Sequence, residues 1–270
     1  MAAASAAPSA VAPAARKAEL VFGGAGRDGK TLDLAALLAA IPSETVMQYD
    51  PYYNREKRYR ALPFARVLEL GFAGTSDLGQ KEFVLRALDG YTVPMRGAKA
   101  FEPGAYLAYE DLDAPGWEPI GQQRANPGPL YLVWAGKEQT VLETHPRPYQ
   151  LASVDLARFE DVFPRTVPKG VAEGDAAWRG FAIFRDQCVH CHAVNRQGGR
   201  VGPELNVPRS IVEYRPVEQI KAYIQNPLAF RYSTMPAHPG FGDAELDGLV
   251  AYFSAMKDRK QDDDKSQKSP

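Results

Sequence analysis

The spacing of apolar and polar positions changes character along the chain. Up to residue 145, short β-like runs alternate with turns: "KEFVLRAL" (81–88), "DGYTVPM" (89–95) and "GPLYLVWAG" (128–136). Such runs, bounded by Gly, Pro and Asp, predict strands. One helix is predicted among them, "LDLAALLAAI" at 32–41, closed by Pro42. After residue 170 the period becomes helical. A helix is predicted over 175–190, capped by Asp175, with Phe181, Phe184 and Cys188 on one face. A second is predicted over 216–226, with Val217, Ile220 and Ile224 on its stripe, Pro216 at its start and Pro227 after its end. A third, over 243–257, has Asp243 as its expected cap and aligns Leu246, Leu249, Val250 and Phe253.

These patterns divide the chain. Residues 1–19 are small and Ala-rich and read as a flexible leader or the trimmed remnant of an export signal. Residues 20–145 form an α+β, β-rich domain. Residues 146–169 carry four prolines and read as a structured connector, because Leu156, Phe159 and Phe163 recur in it. Residues 170–257 form an all-α domain, and 258–270 are a charged, solvated tail. A hydrophobic fraction of 45% supports packed cores, and 23 glycines with 22 prolines imply many turns. The formal charge of −1 gives no field for nucleic acid. No apolar run reaches the length of a membrane span.

Cys188 and Cys191 are the only cysteines, and His192 follows directly in "CVHCH". C-x-x-C-H is the attachment pattern of c-type haem. Side chains three apart at a helix end project to one side, so both sulfurs can add to the vinyl groups of one porphyrin. His192 then lies under the iron. Two rivals use the same residues. A zinc site would recruit two histidines, His238 among them, but lacks a second tight ligand pair. A redox disulfide would leave His192 idle. His190, inside the motif, is expected to face solvent. Met47, Met95 and Met256 read as core filler, and His145 has no evident partner.

The order of motifs around the cysteines resembles a class I c-type cytochrome over residues 170–257: "GFAIF" (180–184), "CVHCH", "GPEL" (202–205), "STMPAHPG" (233–240) and "LVAYF" (249–253). The resemblance implies that the Pro203 carbonyl fixes the His192 ring. It also implies that Met235, 43 residues past His192, is the sixth ligand of the iron, with His238 as competitor. Gly180 and Phe184 would cross the last helix at Tyr252 or Phe253. His/Met ligation implies one-electron transfer, one covalent haem c, and export to a periplasm, where such haem is joined. Phe181, Phe184, Ile220, Ile224, Leu246, Leu249, Val250 and Phe253 are expected to wrap the porphyrin or pack the helix crossings.

The first region is similar, over 30–135, to the molybdopterin-binding core of sulfite-oxidase-type enzymes: "RALDGYTVPM", "AYLAYEDLD" and "NPGPLYLVW" fall in that order. Those enzymes hold molybdenum through a cysteine, and this region has none. Molybdopterin is therefore not expected. The comparable stretch, "YDPYYNREKRYR" (49–60), is rich in Tyr and Arg, as at a partner-docking surface or on an amphipathic strand pair with a solvated cationic turn. The expected protein is a periplasmic monohaem cytochrome, an electron carrier rather than an enzyme. Its partner would be a dehydrogenase, oxidase or respiratory complex, and its first domain a docking or scaffold module. The alternative is a sulfite-dehydrogenase-like molybdopterin enzyme with an internal haem acceptor.

Overall fold

The computed structural model describes residues 17–24 and 29–262. The expected leader therefore lies almost wholly outside the described residues, as does the end of the expected tail. The first region is built from β1 (Glu19–Gly24), β2 (Lys30–Asp33), α1 (Leu34–Ala40), β3 (Glu44–Asp50), β4 (Arg55–Pro63), α2 (Phe64–Gly71), β5 (Glu82–Ala87), β6 (Thr92–Arg96), α3 (Gly97–Ala100), β7 (Ala105–Asp111), β8 (Tyr131–Trp134) and β9 (Leu151–Leu156). Among the described residues these strands make two main sheets, ordered β2-β1-β9-β5-β6 and β3-β4-β7-β8. The second is antiparallel throughout. In β3 the burial alternates so that Val46, Gln48 and Asp50 point inward. Asp33 caps α1, its carboxylate accepting from Ala36 N at 2.8 Å.

A core of Leu20, Phe22, Leu37, Phe64, Leu68, Phe83, Leu107 and Trp134 joins strands and helices of this region. A second cluster, with Val46, Tyr59, Tyr131 and Val133, lies on the four-stranded sheet. At its centre Asp50 accepts from the hydroxyls of Tyr59 (3.1 Å) and Tyr131 (3.0 Å) and from Gln48 Nε2 (3.2 Å). The Gln48 carbonyl in turn accepts from the fully buried Arg147 at 2.8 Å. Gln48 thus relays between a buried carboxylate and a buried guanidinium, which would each be costly alone. His145, without an evident partner in the sequence, is buried within reach of Glu102, Lys99 and Thr144.

The expected connector begins inside the fold. Residues 151–156 are β9, the middle strand of the five-stranded sheet, pairing parallel with β1 and antiparallel with β5. The prolines concealed this, because they flank the strand and do not interrupt it. The chain then forms α4 (Phe159–Val162), α5 (Ala176–Ile183) and a π-turn, Phe184–Cys188. The short strands β10 (Ala193–Val194) and β11 (Gln197–Gly198) follow, then α6 (Ile211–Tyr214), α7 (Val217–Gln225) and α8 (Asp243–Lys257). Phe159 and Phe163 of the connector, with Val84 of β5, belong to the same apolar cluster as Phe181, Phe184, Leu249 and Tyr252. The two regions therefore share a packed joint. Among the described residues no helix is long and apolar enough to cross a membrane.

Three details differ from the sequence reading. The predicted 175–190 helix stops being α-helical at Ile183, where the backbone widens into the π-turn. The cap of α8 is Gly242, whose N–H donates to Glu245, rather than Asp243. Met47 is 62% exposed, while Met95 and Met256 are core. Met47 lies on the outward face of β3, where a period of two overrides residue type.

Candidate haem-attachment site

The site begins at a helix crossing. Asp175 caps α5 by accepting from Ala177 N at 2.8 Å. One turn on, Gly180 lies against α8 so closely that a Cβ there would sit 1.9 Å from the Gly248 carbonyl oxygen. Only a bare backbone on both helices permits this approach. The crossing is continued by Phe181 and Phe184, whose rings lie 5.8 and 5.3 Å from Tyr252, and Phe184 is 6.5 Å from Phe253. The Tyr252 hydroxyl donates to the Thr166 carbonyl at 2.7 Å, tying α8 to the connector. Of the residues expected to pack here, Ile220, Ile224, Leu246 and Leu249 are also buried.

The π-turn presents the cysteines. Val189 N reaches back to Phe184 O at 2.8 Å, and His192 N to Cys188 O at 2.9 Å. Cys188 packs beside the apolar cluster, and both thiols are free and half-buried. Burial pushes the Cys188 thiol up to about 12 and the Cys191 thiol up to about 11, with Asp89 adding to the latter. Both are thus neutral sulfurs in an apolar setting, as thioether formation leaves them.

His192 is oriented through its Nδ1, 2.8 Å from the Pro203 carbonyl oxygen. A carbonyl can only accept, so Nδ1 carries the proton and Nε2 keeps its lone pair. Burial lowers the imidazole pKa, while the Pro203 bond and Glu204 oppose that, so the ring is held neutral. Gly202 lies under the ring, and a Cβ there would be 2.6 Å from Cε1. The loop carrying Gly202 and Pro203 is itself anchored by Glu204, whose carboxylate accepts from the backbone N–H of Asn195, Arg196, Asn206 and Val207. The buried Asn195 side chain donates to the carbonyls of Arg165 and Arg259, and Asn206 to that of Met256. Sequence reading missed these anchors. The local signal for Asn195 is its positive φ of 54°, a conformation Asn tolerates.

Met235 lies in the loop between α7 and α8, half-buried and, like Cys188, packed against the cluster that holds Phe184. Its N–H donates to Ser233 Oγ at 3.1 Å. His238 is engaged otherwise: its N–H donates to Ile224 O, and its ring stacks on Phe241 at 4.8 Å. His190 does not face solvent as expected; it is buried with its ring 5.5 Å from that of Tyr91. No group of three or more His, Cys, Asp or Glu that could hold a metal ion occurs among the described residues, which leaves the zinc reading without a ligand set. A cavity of about 450 Å³ lies at the joint between the regions, lined by Arg86, Asp89, Gly90, Phe163, Arg196 and Arg200. It contains none of Cys188, Cys191, His192 and Met235.

In the first region, the Tyr/Arg stretch forms the β3–β4 hairpin. Its arginines are exposed but paired: Arg55 with Glu118, Arg58 with Asp113 and Arg60 with Glu110. This is the amphipathic strand pair, with its positive charge matched by neighbouring carboxylates.

Residues 175–253 match the family described as "Cytochrome C oxidase, cbb3-type, subunit III". A curated relative, cytochrome c oxidase subunit 2 of Alkalihalophilus pseudofirmus, is 29% identical over 87 residues. That match covers 29% of this chain and 25% of the relative, so the chain spans about a quarter of that protein's length. The second region is therefore a c-type cytochrome domain, and haem c is the group that such a domain carries. The residues present suit that group: two neutral sulfurs, an imidazole with its Nε2 free, and glycine at the closest approaches.

Proposed function

We propose that this protein is a monohaem electron carrier acting outside the cytoplasm. Cys188 and Cys191 would hold the porphyrin as thioethers, and His192 and Met235 would ligate its iron. Bound this way, the haem supplies one-electron chemistry. With His192 and Met235 both committed to the iron, the domain would pass electrons rather than activate oxygen or peroxide. The Pro203 carbonyl keeps the imidazole in the required tautomer and raises its basicity as a ligand. Gly180, Phe184 and Tyr252 keep the α5–α8 crossing closed behind the pocket. The bond between His192 Nδ1 and the Pro203 carbonyl carries this reading, because it turns the motif histidine into a preset ligand.

The partner we propose is a redox protein, a dehydrogenase, an oxidase or a respiratory complex. The family and the relative in which the domain recurs are both described as cytochrome oxidase subunits, which supports the last two. The first region we take to be a sulfite-oxidase-like scaffold without its metal-binding cysteine, serving to place the cytochrome domain. An optical redox titration with metal analysis on one sample tests the whole. One iron per chain, no molybdenum and a sharp α-band on reduction are expected. Molybdenum in stoichiometric amount would favour the enzyme instead, and a colourless protein from a host able to attach haem would end both readings.

A further inference from the structure

Asn195 is fully buried, and its side-chain amide is used to capacity. Nδ2 donates to the carbonyls of Arg165 (3.0 Å) and Arg259 (2.9 Å). Oδ1 accepts from Asn206 Nδ2 (2.8 Å) and from Gln261 N (3.1 Å). Two donors and two acceptor sites on one short side chain require an amide, because a carboxylate lacks the donors and a hydroxyl has too few. The backbone narrows the choice again: φ is +54°, which Asn tolerates and bulky or β-branched residues do not. The partners come from the connector, from the loop after Pro203 and from the segment after α8. Residues 258–262, expected as part of a solvated tail, are thus drawn into the fold. Arg259 fixes that segment, donating from Nε to Lys169 O at 2.8 Å and from a terminal nitrogen to Ala255 O at 2.7 Å.

This hub borders the bond that orients His192. Just past His192, Ala193 O accepts from Leu205 N at 2.9 Å, and Asn195 N and Arg196 N each donate to the Glu204 carboxylate at 2.9 Å. Glu204 directly follows Pro203, whose carbonyl meets the ring. The residues after the donor ring and those after the acceptor carbonyl are therefore clasped together, and the Asn195–Asn206 pair joins them again through side chains. We infer that Asn195 is a positioning residue for His192, setting the length of its bond to Pro203, and that residues 259–261 lock it in place. This rests on the haem reading above. A short bond makes the ring a more basic ligand and favours the oxidised, more positive iron; a slack bond raises the potential.

The test uses the holoprotein. Asn195→Gly keeps the backbone conformation and removes the amide. Gln261→Pro removes one N–H from the locking segment. Lys260→Ala, the control, removes an ion pair with Glu213 and leaves the partners of Asn195 in place. Exchange of the His192 Nδ1 proton in the reduced protein, followed by NMR, is measured with the midpoint potential and the denaturation midpoint. Asn195→Gly should show about tenfold faster exchange and a higher potential. Gln261→Pro should move both in the same direction by less, and Lys260→Ala should match wild type. Wild-type exchange and potential in Asn195→Gly, even with a lower denaturation midpoint, would overturn the inference, since a merely structural role gives that result. Equal changes in Gln261→Pro and Lys260→Ala would also overturn it. Should Asn195→Gly fail to fold, wild-type exchange and potential in Gln261→Pro overturn it instead. Absence of covalent haem from the wild-type chain would remove it along with the reading beneath it.

Discussion

A carbonyl oxygen decides the chemistry of His192. Because Pro203 can only accept, the ring offers Nε2 as its free nitrogen. Met235 and His238 lie three residues apart in the loop between α7 and α8, but His238 is stacked on Phe241. Met235→Ala should lower the haem potential and open the sixth position, seen as an altered visible spectrum that now responds to added imidazole. An unchanged spectrum would pass the ligand role to His238. At this scale the sequence was most informative where chemistry is local. Two sulfurs three residues apart can reach one porphyrin, so Cys188, Cys191 and His192 stood out in the sequence as candidates. Glu204, Asn195 and Tyr91 could not. Each works by meeting backbone or rings that the fold brings from elsewhere, as Tyr91 meets His190 across some hundred positions.

Two elements show how packing and charge support the site. The α5–α8 crossing depends on the Gly180–Gly248 approach, so Gly180→Ala should destabilise the cytochrome domain by roughly 1–3 kcal/mol through overpacking. A lower denaturation midpoint for holoprotein measures it, and a wild-type midpoint would show that the helices separate freely. At the end of α3, Glu102 ties three segments together. Burial opposes its ionisation, but bonds from Lys99, Gln139 and His145 outweigh this and bring its pKa from 4.5 to about 2. A depressed folded-state pKa gives stability that is present above the unfolded value and lost as pH falls through the folded one. The stability margin of wild type over Glu102→Gln should thus be full above pH 4.5 and shrink toward pH 2. Chemical denaturation at several pH values checks it, and a margin independent of pH would contradict it. The sequence period placed α1, α7 and α8 within a few residues, because each has an apolar stripe and a clear stop. It did not place β9, whose flanking prolines suggested a linker, nor the π-turn, which shares its apolar face with α5.

For the whole molecule, the decisive feature is that one apolar cluster draws residues from β5, the connector and the cytochrome helices. The β-rich character of the first region and the helical character of the second followed from period alone. The joint between them did not, since Val84, Phe159 and Phe163 look like ordinary core residues until the fold brings them together. The porphyrin would complete this second core, so binding it should stabilise the folded domain. Cys188→Ala with Cys191→Ala should yield a chain whose second region is readily proteolysed while the first resists. A protease-resistant second region in that variant would contradict this. The most direct test of the account is the mass of the denatured wild-type chain, made in a host that attaches haem, after extraction with acidified acetone. The account predicts a red polypeptide heavier than its sequence by one haem. A bare polypeptide mass with the pigment in the solvent would contradict it.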